Sequence, residues 1–207
     1  MSRLIYRDIK PENIGFDIRG DVKVFDFGLC KNLDRDKKAE GYGYKLTPTT
    51  GSIPFMAPEV AKGLPYDTKA DVFSFSLLLW GILNVDWAFH EYSIQEYFVR
   101  VIKHNERPPL KRSWPTGLRT LLQEAWNQEP QTRPCIAKVG TSIRIELERL
   151  THDNATFLHR EQDIGEKSNR SFRINKRRSS PFSIAGRRPT TEVDKERSIH
   201  GEILFNG

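Results

Sequence analysis

The sequence predicts a mainly α domain with one small β-hairpin near its start, and three observations point to it. Two short β-type runs flank a turn between residues 14 and 25. A long stretch without helical period follows. The remaining segments repeat their apolar residues at helical spacing and end near Leu150.

Each element has its own signal. Ile14-Gly15-Phe16 and Val22-Lys23-Val24-Phe25 read as strands, and Asp17-Ile18-Arg19-Gly20-Asp21 supplies the turn between them. Residues 29–66 are rich in Gly, Pro, Thr and Lys and predict a long loop, which inside a domain is normally functional or disordered. Asp67-Thr68 is expected to cap a helix running through Leu83, whose all-round apolarity predicts burial on every side. Ser93-Ile94-Gln95-Glu96 is a capping box opening a helix with Tyr97, Phe98, Val101 and Ile102 on one side. Gly117 to Trp126 places Leu118, Leu121, Leu122 and Ala125 on one face. Pro134 suits the first turn of a last helix, with Ile136, Val139, Ile143, Leu147 and Leu150 spaced for packing. Trp80, Trp87, Trp114 and Trp126 are expected in core or groove packing.

Composition divides the chain into residues 1–150, which can build a core, and residues 151–207, which cannot. The second part has sparse, aperiodic apolar residues and is expected to be disordered. The formal net charge is +6, yet residues 166–190 alone carry eight Lys/Arg against one Glu. The basicity therefore belongs to the tail, and no specific nucleic-acid partner is expected. The longest apolar run, Val72 to Val85, contains Ser74, Ser76 and Asn84 and falls short of the roughly 18 residues of a membrane span. Met1-Ser2-Arg3-Leu4-Ile5 has no signal-peptide h-region. Two cysteines, Cys30 and Cys135, fit a reducing compartment, and the five histidines show no zinc-ligand spacing. The expected location is intracellular and cytoplasmic, with nuclear entry through Lys176-Arg177-Arg178 as a further reading of the tail.

The chemistry concentrates near the start. Asp8, Lys10 and Asn13 share one short loop, and Asp26 follows after one hairpin. Residues two and five positions apart on a loop can converge, and the hairpin returns Asp26 toward them. An ammonium, an amide and two carboxylates at one point suit a phosphate–magnesium centre, because magnesium prefers hard oxygen ligands. Phosphoryl transfer needs mainly positioning and charge neutralisation, which these groups offer.

Over roughly residues 4 to 150 the chain resembles the eukaryotic protein kinase family. The catalytic loop His-Arg-Asp-x-Lys-x-x-Asn appears as Tyr6-Arg7-Asp8-Ile9-Lys10-Pro11-Glu12-Asn13. Asp26-Phe27-Gly28 and Ala57-Pro58-Glu59 follow in order, then Asp71 and Arg133. The resemblance implies the C-terminal, helical lobe of the kinase fold, with the hairpin carrying the catalytic and magnesium loops. It implies that Asp8 orients the substrate hydroxyl, Lys10 contacts the transferred phosphate, and Asn13 and Asp26 bind magnesium. Glu59 and Arg133 would form a buried structural pair, and Asp71 would be a helix-opening structural residue. Arg7 would receive a phosphate on the loop, with Thr47, Thr49 and Thr50 as acceptors or as simple loop residues. Ser52 stands where the family places a substrate-binding threonine. Lys10-Pro11-Glu12 is similar to the serine/threonine branch. Asp67 to Phe75 and Arg133-Pro134 look most like its tyrosine-kinase-like group.

Two departures matter. Tyr6 replaces the family's structural histidine. No Gly-rich loop, no lysine in a Val-Ala-Ile-Lys setting and no partner glutamate occur before Asp8. The expectation is a truncated serine/threonine kinase without its N-terminal lobe, using ATP and magnesium only where that lobe is supplied. The alternative is a catalytically inactive, kinase-like binding or regulatory module. A protein substrate is the expected partner. A docking protein at the phosphorylatable basic tail, around Ser179-Ser180 and Arg187-Arg188-Pro189-Thr190, is a second.

Overall fold

Strand β1 (Leu4–Ile5) pairs antiparallel with β4 (Lys31–Asn32), Leu4 opposite Asn32. Between them, β2 (Ile14–Phe16) and β3 (Val22–Val24) form the expected hairpin, with Gly15 opposite Lys23. Its turn is closed by Asp17, whose Oδ1 accepts the N–H groups of Arg19 and Asp21 at 2.9 and 3.0 Å, an Asx-type turn. The protein is seen here as a computed structural model that describes residues 4–33 and 38–152. The expectations for the tail from residue 153 onward, including its disorder and its basic motifs, lie outside the described residues.

The stretch 29–66 is more regular than its composition predicts. It holds β4, a 3-10 turn at Ile53–Phe55 and helix α1 (Pro58–Ala61). Tyr44 bridges to Tyr66 through paired backbone bonds of 2.9 and 3.1 Å. These pieces are too short to show a period, and each is fixed by tertiary contacts, with Phe55, Met56, Val60 and Tyr66 buried in the main core.

Helix α2 (Lys69–Asn84) is buried on most of its sides as far as Trp80, but the expected burial fails in its last turn, where Ile82 is exposed. Ala70, Phe73, Leu77 and Trp80 enter the main core, while Val72 enters a second cluster with Leu121, Ala125 and Val139. Its buried serines are paired: Ser74 Oγ donates to Phe55 O at 2.7 Å, and Ser76 Oγ to Phe73 O at 2.6 Å. The expected cap is half right. Thr68 makes no side-chain cap, but Asp67 Oδ1 accepts the Lys69 N–H at 2.8 Å. The helix ends on Val85 in the left-handed region (φ 55°). Gly81 permits this ending, since a Cβ there would stand 2.9 Å from Asp86 O.

Helix α3 (Ile94–Glu96) begins with the predicted capping box: Ser93 N–H donates to Glu96 Oε2 at 2.8 Å and Ser93 Oγ accepts from Glu96 N–H. It passes directly into a π-helix, Tyr97–Lys103, which buries Tyr97, Val101 and Ile102 together. Helix α4 (Thr116–Ala125) buries the four residues expected of it. The last helix, α5, spans residues 136–152, so Thr151 and His152 belong to the helix and not to the tail. Its packing differs from expectation. Val139 is buried and Ile143 joins the second cluster, but Ile136, Leu147 and Leu150 are exposed. Glu146 takes the buried place on that face instead, 2.8 Å from Arg149. Trp80 and Trp126 are core residues, whereas Trp87 is half exposed and lines a groove at the end of α2.

Candidate active site

The loop of residues 6–13 is bound to α2 before Asp8 is reached. Asp71, in the first turn of α2, accepts the backbone N–H groups of Tyr6 and Arg7 through Oδ2 and Oδ1, both at 2.8 Å. Asp71 thus satisfies the N–H groups of a distant loop, partners that its helix-opening position alone does not disclose. Burial pushes its carboxyl up, against the opposing pull of the two N–H groups and of Arg7. Arg7 is held in the left-handed region (φ 72°). Its carbonyl faces Gly51 (φ 98°), where a Cβ would fall within 2.3 Å of that oxygen. Only glycine allows this close approach and this φ together.

The loop then delivers Asp8 into a set of donors. Oδ1 accepts the Ser52 N–H at 2.9 Å and the Ser52 hydroxyl at 2.8 Å. Oδ2 accepts the Asn13 amide at 3.0 Å and lies 3.0 Å from Lys10 Nζ. The same Asn13 amide donates to Asp8 O at 2.9 Å, and Lys10 Nζ donates to Ser52 Oγ at 2.9 Å. Asp8 and Asn13 are buried, and Lys10 is partly so. Burial pushes the Asp8 carboxyl up, but Lys10, Ser52 and Asn13 outweigh it and hold it below the ordinary carboxylate value. Asp8 is therefore an anion at neutral pH with donors on both oxygens. Sequence reasoning noted Ser52 but did not foresee it inside this network.

Asp26 is placed differently. It is exposed, has φ 52°, and its Oδ1 accepts the Gly28 N–H at 3.1 Å. Its segment is tied to the loop by the Phe25 N–H donating to Asn13 O at 2.8 Å. Tyr6 adds a second tie, since its hydroxyl donates to Phe25 O and its ring meets Phe27 edge-on at 5.6 Å. Burial, then the charges of Asp8, Cys30 and Asp26, push the Tyr6 hydroxyl up, so it stays a donor. Tyr6 thus joins the two halves of the site, which supports its reading as a structural replacement for histidine.

The residues expected to be regulatory or structural also find partners. Arg7 Nε donates to Leu29 O at 2.6 Å, and Nη1 reaches the Tyr66 hydroxyl at 3.3 Å. That hydroxyl donates to Thr47 O at 2.8 Å, and Thr50 Oγ1 also donates to Thr47 O, at 3.0 Å. Thr49 is exposed in the left-handed region. Tyr66 is the residue that sequence reasoning missed; an isolated aromatic between Pro65 and Asp67 carries no signal of its position. Glu59 and Arg133 form a buried bidentate pair at 2.7 and 2.8 Å. Arg133 also donates to Asn127 O and Lys69 O and lies over the Phe73 ring.

The residues fit magnesium as a donor set. Fixing the Asn13 amide nitrogen on Asp8 leaves its Oδ1 as the atom for a cation, and Asp26 keeps an oxygen beyond the one facing Gly28. For a nucleotide they fit only the phosphate end, through Lys10.

A buried, multiply hydrogen-bonded aspartate with a lysine, a serine and an asparagine, on a loop tied to a central helix, defines a class of phosphate-handling domain. The protein kinase domain family matches residues 1–142, and the chain belongs to that family. It is 39% identical over 147 residues to the dual specificity protein kinase shkB of Dictyostelium discoideum, covering 70% of this chain and 22% of that protein. It is 33% identical to the serine/threonine-protein kinase STY17 of Arabidopsis thaliana, over 67% of this chain and 23% of that protein. It is 32% identical to the mitogen-activated protein kinase kinase kinase 7 of Bos taurus, over 66% and 22%. The chain spans about a fifth of the length of these relatives.

Proposed function

We propose that this chain is the C-terminal lobe of a serine/threonine protein kinase of the tyrosine-kinase-like group, and that it transfers a phosphoryl group to a protein hydroxyl when a nucleotide-holding lobe accompanies it. The observation that carries this reading is the Asp8 network with Lys10, Ser52 and Asn13.

Asp8 accepts a hydrogen bond from the substrate hydroxyl and orients its oxygen for attack. Its lowered pKa makes it a weak base, so its task is alignment, with the proton taken late in the step. Lys10, bonded to Asp8 and Ser52, is pre-set to neutralise charge on the transferred phosphate. Asn13 and Asp26 would hold magnesium, which would supply charge neutralisation when bound. Ser52 fixes Asp8 from the opposite side of the loop. Asp8 contributes stability above the unfolded carboxylate value, about 3.9, and loses it as pH falls below. An acid titration of stability should show this limb in the native chain and lack it in Asp8→Asn.

Two supporting readings follow. The chain Arg7–Tyr66–Thr47 supports regulation by phosphate on the loop threonines, with Arg7 turning from Leu29 and Tyr66 to receive it. The exposed Phe16, Val22, Phe25 and Phe27 support a covering lobe over the hairpin.

The test is phosphotransfer to a generic protein substrate, with magnesium and ATP, by a protein in which a Gly-rich lobe precedes this chain. Asp8→Asn should cost at least a hundredfold in rate, the scale of losing one positioned group. Transfer that survives Asp8→Asn unchanged overturns the reading. Residues 1–207 alone should transfer phosphate negligibly, and robust activity from them would contradict the need for a covering lobe.

A further inference from the structure

Ser52 holds one oxygen of Asp8 with two donors, so whatever places Ser52 also places that carboxylate. Ser52 opens the 3-10 turn Ile53–Phe55, and the turn is closed by its own bonds. The Phe55 N–H donates to Ser52 O at 3.0 Å, and the Met56 N–H donates to Ile53 O at 3.1 Å. A displacement at the end of so tight a turn is passed back to its start. The end itself is held by side chains. Ser74 Oγ donates to Phe55 O at 2.7 Å, and the Tyr97 hydroxyl donates to Met56 O at 3.1 Å. Two consecutive carbonyls are thus taken by hydroxyls from two different helices.

The two holds differ in origin. Ser74 belongs to α2, the helix whose Asp71 binds the loop before Asp8. Tyr97 comes from the π-helix Tyr97–Lys103, where the His104 N–H donates to Val99 O at 3.0 Å across five residues. The wider turn brings Tyr97, Val101 and Ile102 to one buried side, and Ile53, the neighbour of Ser52, packs against them. The π-helix therefore grips the turn at both ends, by the Ile53 side chain and by the Met56 carbonyl. The Tyr97 ring is buried and meets Phe89 edge-on at 5.7 Å. Burial pushes its hydroxyl up, against the opposing charge of Arg107, so it stays a donor. A phenylalanine would fill the same apolar space; the hydroxyl adds the bond to the turn.

We infer that Tyr97 is a positioning residue: acting through Met56 O and the 3-10 turn, its hydroxyl sets Ser52 against Asp8. The consequence for phosphoryl transfer rests on the kinase reading, while the placing of Ser52 does not.

The experiment compares Tyr97→Phe with Ser76→Ala. Ser76 is also buried, but its hydroxyl donates to Phe73 O within α2. Each variant loses one buried hydroxyl bond, so a merely structural role predicts the same outcome for both. In the whole 207-residue chain, the Ser52 amide should exchange about fivefold faster in Tyr97→Phe, the scale of one net hydrogen bond, and be unchanged in Ser76→Ala. Its proton resonance should also move upfield in Tyr97→Phe alone, as the bond to the Asp8 carboxylate lengthens. A cooperative thermal melt verifies folding, and para-aminophenylalanine at position 97, which keeps a donor there, should restore the native exchange. In the longer protein with a Gly-rich lobe, Tyr97→Phe should lower kcat about tenfold and leave the KM for ATP unchanged, and Ser76→Ala should alter neither. An unchanged Ser52 amide in Tyr97→Phe overturns the inference, as does equal acceleration in both variants. A Ser52 amide that responds to Tyr97→Phe, in a protein without Asp8-dependent transfer, keeps the positioning role and removes the kinase reading. Asp8-dependent transfer that Tyr97→Phe leaves untouched, with Ser52 unmoved, does the reverse.

Discussion

Asp8 and Asp26 stand on either side of the site, and the protein holds them by different means. The loop of Asp8 is bound to the core from several directions: Asp71 takes the N–H groups of Tyr6 and Arg7, Gly51 packs on the Arg7 carbonyl, and Ser52 closes on the carboxylate. The segment of Asp26 is tied at Phe25 and Leu29 and by the pairing of the strands that flank it, but it shows Phe16, Ile18, Val22 and Phe27 to solvent. One half is specified by buried polar groups with defined partners, which fix geometry because an unpaired buried charge is costly. The other half carries apolar surface that nothing among the described residues covers. The difference teaches that the surroundings of Asp8 are supplied by buried partners among the described residues, while those of Asp26 leave apolar surface open.

The comparison breaks most readily at Glu59 and Arg133, which hold the loop from residue 51 to α1 against the base of α2. Glu59→Ala leaves the Arg133 guanidinium buried without its carboxylate and should cost about 3–5 kcal/mol. Denaturant unfolding of the whole chain checks this. A loss under about 1 kcal/mol would mean that the loop is not fixed by this pair, and the Asp8 half would be no better held than the other.

Asp71→Asn comes next. The amide keeps one acceptor and presents an NH2 to the second backbone N–H, so one charged hydrogen bond is lost and a donor faces a donor. The expected cost is about 2–3 kcal/mol. Amide exchange should accelerate at Tyr6, Arg7 and Asp8 and stay unchanged in the hairpin. Equal acceleration in both would show that the two halves unfold together and would erase the distinction.

These two positions also show what the sequence could disclose. Motif spacing named Glu59, Asp71 and Arg133, and Asp8, Lys10, Asn13 and Asp26, because each is a distinct residue type at a fixed interval. It could not disclose what Asp71 bonds, since the partner lies 64 or 65 residues away. Periodicity located α2 and α4 because their buried faces span several turns. It failed for β4, α1 and the Ile53–Phe55 turn, each too short to repeat. It misled on α5, where Ile136, Leu147 and Leu150 have helical spacing but Glu146 is the buried neighbour. Tyr66 was invisible because its role is to carry a hydroxyl between Arg7 and Thr47, a relation no local pattern encodes.

Tyr6 lies on the seam between the halves, and its variants sharpen the comparison. Tyr6→Phe keeps the edge contact with Phe27 and removes the donor to Phe25 O. The expected cost is about 1 kcal/mol, the net worth of an ordinary hydrogen bond. Exchange should rise at Phe25 to Gly28 with the Asp8 loop unaffected. Protection changes at Asp8 and Lys10 instead would place the seam elsewhere.

The smallest effect is expected where the largest apolar surface lies. Ile18→Asn removes a fully exposed side chain at the hairpin turn, and Phe16→Thr removes one that is 74% exposed on β2. Ile18 withdraws no apolar area from water and Phe16 only a minor part of its surface, so deleting either forfeits little transfer energy, and threonine suits a strand as well as phenylalanine does. Each change should leave stability within about 0.5 kcal/mol and raise solubility. In a protein that also carries the covering lobe the outcome should differ between the two. Phe16 would lie beneath that lobe, and its loss should cost about 2 kcal/mol or more by the ordinary measure of burying such a side chain. Ile18, at the tip of the turn, should stay neutral. If Phe16→Thr is neutral in both settings, the hairpin is not a covered surface, and the proposed contact of a second lobe with it is wrong.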